Sequence, residues 1–257
     1  MSNYAFCTLV YGEKYTELSK TLIEQITSLG ETIFVYTNNP SVFEPKDGLI
    51  VIPYTKQYFS FHEKLTVVRE CLKTFDTAVF LDSDVVLQDI EDLNFLSTIT
   101  PGLHIFATFG NITNTFLADD ISICEDQTKR NTKYGKEGAD LLGRLGYEIE
   151  KFYHTDKPKA PLEHFLEGKW VIKKDEGREE KFFEIWENIA PFCEDFDFRH
   201  NYINNIGAGE GSVMSIACYN SKITFSGVSP LLSIFNKHFI SNFKEKTEGT
   251  KPWNIAG

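Results

Sequence analysis

Residues 77–87 read TAVFLDSDVVL, and this stretch decides how the chain is expected to fold. The apolar run at 77–81 is typical of a buried strand, and two aspartates follow it. In an extended segment, Asp82 and Asp84 point to the same side and can converge on one cation, while Ser83 faces away or offers its backbone. Carboxylate oxygens suit Mg²⁺ or Mn²⁺. An Asp-Ser turn after a buried strand gives the same pattern without a function.

Strands and helices alternate on both sides of this stretch. Apolar and β-branched runs predict strands at 5–10, 32–37, 48–54, 77–87, 104–111 and 165–175. Helical spacing of apolar residues predicts helices at 16–30, at 62–75, at 179–192 with an end near Pro191, and at 211–219. The alternation predicts an α/β domain with a mostly parallel sheet flanked by helices, in which ligands lie beyond the carboxyl ends of the strands.

Composition excludes several classes of protein. The formal net charge of −11 argues against a protein that mainly coats nucleic acid or an anionic membrane. The chain has no apolar run near the ~20 residues of a membrane span, and its N-terminus lacks signal-peptide features. Scattered cysteines without zinc-ligand spacing favour reduced thiols and a cytoplasmic protein. These cysteines are Cys7, Cys71, Cys124, Cys193 and Cys218.

Several segments, in order, resemble glycosyltransferase family 8, and its glycogenin-like members in particular. They are AFCTLVYGEKY (5–15), HEKL (62–65), AVFLDSDVVLQDIEDL (78–93), FLEG (165–168), GEGSVMS (209–215), KHF (237–239) and TKPWN (250–254). The resemblance implies a single Rossmann-like domain of the GT-A type over 1–257. It also implies metal-dependent transfer of a hexose from a nucleotide diphosphate sugar, UDP-sugar in particular. By the same resemblance, the acceptor is expected to be a hydroxyl of a glycan, protein or small molecule, and the anomeric configuration is expected to be retained.

The resemblance also implies roles for individual residues. Nucleotide contacts fall on Leu9, Tyr11, Gly12 and Tyr15, and phosphate contacts on Lys64 and Lys251. The metal ligands are Asp82, Asp84 and His238, with Mn²⁺ or Mg²⁺ as the cofactor and Ser83 beside the donor. Glu210 is the candidate carboxylate near the donor sugar, and Glu167 is a second. Each has a structural alternative: solvated or core side chains for the lysines and tyrosines, and a helix N-terminal acid for Glu210.

Two departures from the family pattern keep other functions open. Leu166 stands where the family has asparagine, and Gly211 where it often has glutamine. The alternatives are an inverting GT-A transferase, a nucleotide-sugar binding protein without turnover, and a phosphohydrolase with an Asp-x-Asp motif. The polar stretch 119–160 is expected to be a variable excursion that forms a wall of the acceptor site. The segment 238–257 is expected to close over the donor.

Overall fold

A computed structural model describes most of the N-terminal half of the chain and parts of the remainder. The described residues are 2–56, 60–87, 93, 95–105, 108–111, 146–148, 150–151, 160–161, 163–165, 168–199, 210–228 and 239–241. The chain forms two compact units. The first unit consists of Met1–Phe106, Gly168–Lys174 and Ser226–Gly257, and the second of Ala107–Glu167 and Asp175–Phe225.

The described helices and strands follow one another in this order: β1 (Tyr4–Val10), α1 (Glu13–Ser28), β2 (Ile33–Thr37), β3 (Leu49–Pro53), α2 (Lys64–Thr74), β4 (Thr77–Leu81), β5 (Val85–Leu87), α3 (Phe95–Thr98), β6 (Gly102–Ile105), β7 (Thr108–Asn111), β8 (Glu150–Lys151), β9 (Ala160–Pro161), β10 (Glu163–Phe165), β11 (Lys169–Lys173), α4 (Arg178–Arg199), α5 (Glu210–Ser221), β12 (Phe225–Val228) and β13 (Phe239–Ser241). Short 3₁₀ turns at Pro40–Val42 and Phe61–Glu63 precede β3 and α2.

A seven-stranded mixed sheet organises the first unit, in the order β12-β6-β11-β4-β1-β2-β3. Strands β3, β2, β1 and β4 run parallel, and β11 is antiparallel to both β4 and β6. Strand β13 pairs separately with β5, also antiparallel. The prediction of an α/β fold with a mostly parallel sheet and flanking helices is confirmed, and β11 supplies its antiparallel element.

The core lies around the parallel strands. Every residue of β1, β2 and β4 is buried, as expected for parallel strands covered on both faces. Helix α1 buries Leu22 and Ile26, as its apolar spacing predicts, but Leu29 is 44% exposed because the helix ends at Ser28. Burying each such aliphatic side chain contributes about 1.5–3 kcal/mol. The described cysteine side chains, those of Cys7, Cys71 and Cys218, are buried and form no disulfide.

Within its described residues, the second unit contains short strands and the helices α4 and α5. Strand β10 pairs with β7 and β8 with β9, both antiparallel. Helix α4 buries Phe182, Phe183 and Trp186, and the Phe165 and Phe225 rings stack with centroids 5.1 Å apart. The polar excursion 119–160 belongs to this unit but lies largely outside the described residues, and its role stays a prediction.

Three predicted boundaries are wrong. Helix α4 continues through Pro191 to Arg199, because one proline removes a single backbone N–H donor and the remaining hydrogen bonds sustain the helix. The strands expected at 104–111 and 165–175 are each divided, into β6 and β7 and into β10 and β11. Each half pairs with a different partner strand, and local apolar content does not encode this choice.

Among the described residues, no helix is long and apolar enough to span a bilayer.

Candidate functional site

The acidic pair lies in a tight turn that joins β4 to β5. The Val85 N–H donates to the Asp82 carbonyl oxygen at 3.0 Å, so the aspartates do not lie in the extended segment that was predicted. The chain turns here because β4 pairs in the large sheet whereas β5 pairs with β13. Asp82 and Asp84 are half-buried, and Ser83 is buried. The turn follows the carboxyl end of β4, which is where the sequence predicts a ligand site.

Asp82 is held from two directions. Its backbone N–H donates to the carbonyl oxygen of Gly168 at 2.8 Å, and its Oδ1 lies 3.1 Å from Lys64 Nζ. The Lys64 side chain, at the start of α2, is only 4% exposed, and its ammonium lies 5.3 Å from the centroid of the Phe80 ring. Because the aromatic face is electronegative, the ring favours the charged ammonium. The lysine predicted to approach a phosphate therefore also contacts the first aspartate.

Tyr15 is a neighbour of both aspartates. Burial raises the pKa of its hydroxyl, and the negative charges of Asp84 and then Asp82 raise it further. The Tyr15 side chain is still 38% exposed, and the ammonium of Lys14 lies 5.5 Å from the centre of its ring. Tyr15, in the first turn of α1, is thus an accessible aromatic side chain within the electrostatic reach of both aspartates, and its predicted contact with a nucleotide stays a prediction.

Three tyrosines gather where β1, β2 and β3 end. The Tyr11 and Tyr54 ring centroids lie 5.2 Å apart in an edge-to-face arrangement, and the Tyr36 and Tyr54 centroids lie 4.8 Å apart. The Tyr54 hydroxyl accepts the backbone N–H of Ser60 at 3.2 Å. Burial, with a smaller contribution from the charge of Glu63, raises the pKa of Tyr54 to about 12. Sequence reasoning found Tyr11 but missed Tyr36 and Tyr54, although each lies near the end of a predicted strand.

The loop from β1 to α1 is held in a conformation that requires glycine. Gly12 has φ +81° and donates its N–H to Asn38 Oδ1 at 3.0 Å. Its carbonyl oxygen accepts the Thr16 hydroxyl at 2.8 Å, and Asn39 Nδ2 donates to the same hydroxyl oxygen at 3.3 Å. Sequence reasoning missed both asparagines. The signal was present in the pair of amides directly after β2, since the ends of neighbouring parallel strands meet.

Other predicted site residues stand differently. Leu9 is buried in β1, opposite Tyr36 of β2. Glu210 is the buried first residue of α5 in the second unit, a position that the helix dipole favours for an acid. Glu167, His238 and Lys251 lie outside the described residues, and their roles stay predictions. Strand β13 pairs with β5, and its last residue, Ser241, lies opposite Val85. The C-terminal end of β13 is therefore the end beside the acidic turn.

The donor chemistry of the turn fits a hard divalent cation. Two half-buried carboxylates, Asp82 and Asp84, stand two residues apart in one turn and supply oxygen ligands of the kind that Mg²⁺ and Mn²⁺ prefer. Within the part of the chain that the structure describes, no group of three histidine, cysteine, aspartate or glutamate side chains could hold a metal ion. A cation bound here would therefore draw its remaining ligands from solvent, substrate or the undescribed residues.

Comparison with known proteins adds no family assignment. Neither a scan against protein-family models nor a search of curated proteins finds a match to this chain. The resemblance to glycosyltransferase family 8 therefore rests on the quoted motifs.

Proposed function

We propose that this protein is a metal-dependent glycosyltransferase of the GT-A type. It moves a hexose from a nucleotide diphosphate sugar, UDP-sugar in particular, to an acceptor hydroxyl with retention of configuration. One observation carries the proposal: beyond the carboxyl end of the parallel strand β4, the turn with Asp82 and Asp84 receives the ammonium of Lys64 on Asp82 at 3.1 Å. The charges of both aspartates also act on Tyr15. In open α/β sheets, the carboxyl ends of the strands form the edge at which nucleotides bind.

Each of these groups has a task in such a reaction. The carboxylates of Asp82 and Asp84 would hold Mn²⁺ or Mg²⁺, which as a Lewis acid offsets the charge that develops on a departing diphosphate. The Lys64 ammonium forms an ion pair with Asp82 and adds positive charge beside the departing diphosphate. The exposed ring of Tyr15 offers an aromatic face to a nucleotide base, and Gly12 lets the backbone approach closely.

The chemistry at the sugar rests on fewer described residues. In the retaining scheme, an oxygen of the leaving diphosphate takes the acceptor proton on the face from which it departs. A carboxylate stabilises the positive charge at the anomeric carbon, and Glu210 is our candidate. Its burial at the start of α5 is compatible with this role and with a purely structural one. Binding of the donor diphosphate therefore has firmer support than the assignment of the residue that acts at the sugar.

The test is a thermal-shift series on the full chain with UDP, UDP-sugars and other nucleotide sugars, with and without Mn²⁺. A ligand that binds the native state stabilises it and so raises the temperature midpoint of unfolding. At a ligand concentration a hundred times the dissociation constant, the stabilisation is about 2.7 kcal/mol. We expect a shift with UDP-sugars that requires Mn²⁺ and disappears in Asp84→Asn. The variant Glu176→Gln, which replaces an exposed acid in the second unit, should shift like the wild type.

Turnover separates the remaining functions. Release of UDP from a UDP-sugar, with an anomeric product read by NMR, distinguishes retention from inversion. Manganese-dependent binding without hydrolysis or transfer would identify a binding protein, and hydrolysis of simple phosphate esters instead would identify a phosphohydrolase. Absence of any manganese-dependent shift across the donor panel would refute the proposal.

A further inference from the structure

The space that the Asp82 carboxylate occupies exists because residue 168 has no side chain. An ideal Cβ built on Gly168 would lie 2.7 Å from Asp82 Oδ2 and 3.5 Å from Asp82 Cγ. A carbon and an oxygen that are not bonded do not approach so closely, so any other residue at 168 would displace the carboxylate. The φ of Gly168 lies outside the left-handed region, and the backbone itself accepts an ordinary residue. Glycine is therefore required at 168 to leave space for the Asp82 carboxylate, and not for its backbone conformation.

The same residue also fixes the backbone of Asp82. The carbonyl oxygen of Gly168 accepts the Asp82 N–H at 2.8 Å, and the next residue, Lys169, lies opposite Leu81 at the start of the β11–β4 pairing. The strand register thus places residue 168 directly beside the aspartate. Lys64 meanwhile holds the other carboxylate oxygen, Oδ1, at 3.1 Å. The Asp82 carboxylate is therefore positioned by the Lys64 ammonium, which contacts Oδ1, and by the absence of a side chain at Gly168, which leaves space for Oδ2.

We infer that Gly168 is a positioning residue, which sets the orientation of the Asp82 carboxylate toward a divalent cation. This inference rests on the proposed function, because it assumes that Asp82 contributes to a metal site. A methyl group at 168 would be accommodated by rotation of the short Asp82 side chain, and this movement costs little stability but breaks the alignment with Lys64. Losing an interaction that orients a metal ligand typically weakens metal binding about 10–100-fold.

The experiment measures the dissociation constant of Mn²⁺ alone, from the EPR signal of the free ion, for the full chain and its variants. We expect Gly168→Ala to weaken binding about tenfold or more, and Gly168→Val further, with circular dichroism unchanged. Gly30→Ala is the matched control. A Cβ at Gly30 meets nothing within 4 Å, although its φ of +74° makes the substitution strained. It should lower the unfolding midpoint while leaving the manganese affinity unchanged.

A double-mutant cycle separates positioning from general damage. If Gly168 acts through the carboxylate, then Gly168→Ala should add less than about a twofold loss in an Asp82→Ala background, where there is nothing left to displace. Full additivity would overturn the inference. So would a Gly168→Ala affinity equal to that of the wild type when Asp82→Ala is impaired, and the proposed function would then still stand. If the wild type bound no Mn²⁺ either alone or with UDP, both would fall.

Discussion

Two aspartates that follow strands of this protein have opposite surroundings. The side chain of Asp175, after β11, is 2% exposed, and its carboxylate accepts hydrogen bonds from Arg178 Nε at 2.9 Å, Arg178 Nη2 at 2.6 Å and the Thr224 N–H at 2.7 Å. The side chain of Asp82, after β4, is 40% exposed. The bonds from Arg178 dominate in lowering the pKa of Asp175 to about 2. The Asp175 carboxylate is enclosed by its hydrogen-bond donors, whereas the Asp82 carboxylate is partly exposed to solvent.

The difference teaches how to separate structural from functional acids. A buried carboxylate stabilises a fold when several donors replace its lost water. Asp175 meets that condition by linking the start of α4 to the chain before β12. A carboxylate that binds a ligand must retain access to solvent, and its neighbours should orient it without enclosing it. Asp82 meets this second condition. Sequence alone does not distinguish the two, since both are aspartates near the end of an apolar run.

The largest effect is expected from removing the charge of the exposed pair. Asp82→Asn or Asp84→Asn should lower manganese-dependent turnover of the cognate donor about a hundredfold or more, because a carboxylate ligand is lost. The fold should be retained, as judged by circular dichroism. Asp175→Asn serves as the control and should keep its turnover at a temperature where it is folded. Unchanged turnover in both turn variants would remove their assigned role.

The variant Asp175→Asn tests the buried aspartate of the comparison. Asp175→Asn should lower the free energy of unfolding by about 1–3 kcal/mol, since hydrogen bonds from a charged guanidinium to a buried carboxylate are weakened. Urea denaturation measures this loss, and UDP affinity in the presence of Mn²⁺ should be unaffected. A variant as stable as the wild type would show that Asp175 is not needed for the fold.

The cationic partners provide a third contrast. Lys64→Met keeps an unbranched apolar side chain at this buried position and leaves Asp82 partly exposed to water, so stability should change by less than about 1 kcal/mol. UDP affinity with Mn²⁺ should fall about tenfold, because a charge beside the diphosphate is lost. Arg178→Met should do the opposite: it should lower stability, because the buried Asp175 carboxylate loses two of its donors, and it should leave UDP affinity normal. Calorimetric titration and urea denaturation measure the two quantities. Equal behaviour of the two variants would contradict the contrast.

The smallest effect is a dependence of stability on acid. The pKa of Asp175 is about 2 in the folded state and 3.8 by ordinary values, so its stabilisation is complete above pH 3.8 and is lost as the pH falls toward 2. Between pH 6 and pH 3, this loss amounts to about 1 kcal/mol. Urea denaturation at both pH values should show a smaller difference for Asp175→Asn than for the wild type. An identical difference would indicate that other carboxyl groups account for the acid sensitivity.

Much of the parallel half of the sheet could be predicted because its information is local. The run TAVFL alone identifies a buried strand, and the helical spacing of Leu22 and Ile26 identifies the buried face of α1. The second unit was less predictable. The strand pairing of β7 with β10 depends on a partner that is distant in sequence. The continuation of α4 past Pro191 runs against the usual effect of proline, because the remaining backbone hydrogen bonds sustain the helix.

The candidate site divides in the same way. The sequence by itself determined that Asp82 and Asp84 follow a buried strand and that a tyrosine and a glycine follow β1, because strand ends are visible in apolar periodicity. Tertiary structure alone decided that the pair forms a turn, that Lys64 contacts Asp82, and that Tyr36 and Tyr54 join Tyr11. It also decided that Gly168 leaves space for the carboxylate. The physical reason is that these contacts depend on strand order and register, which are properties of the assembled sheet and not of any single segment.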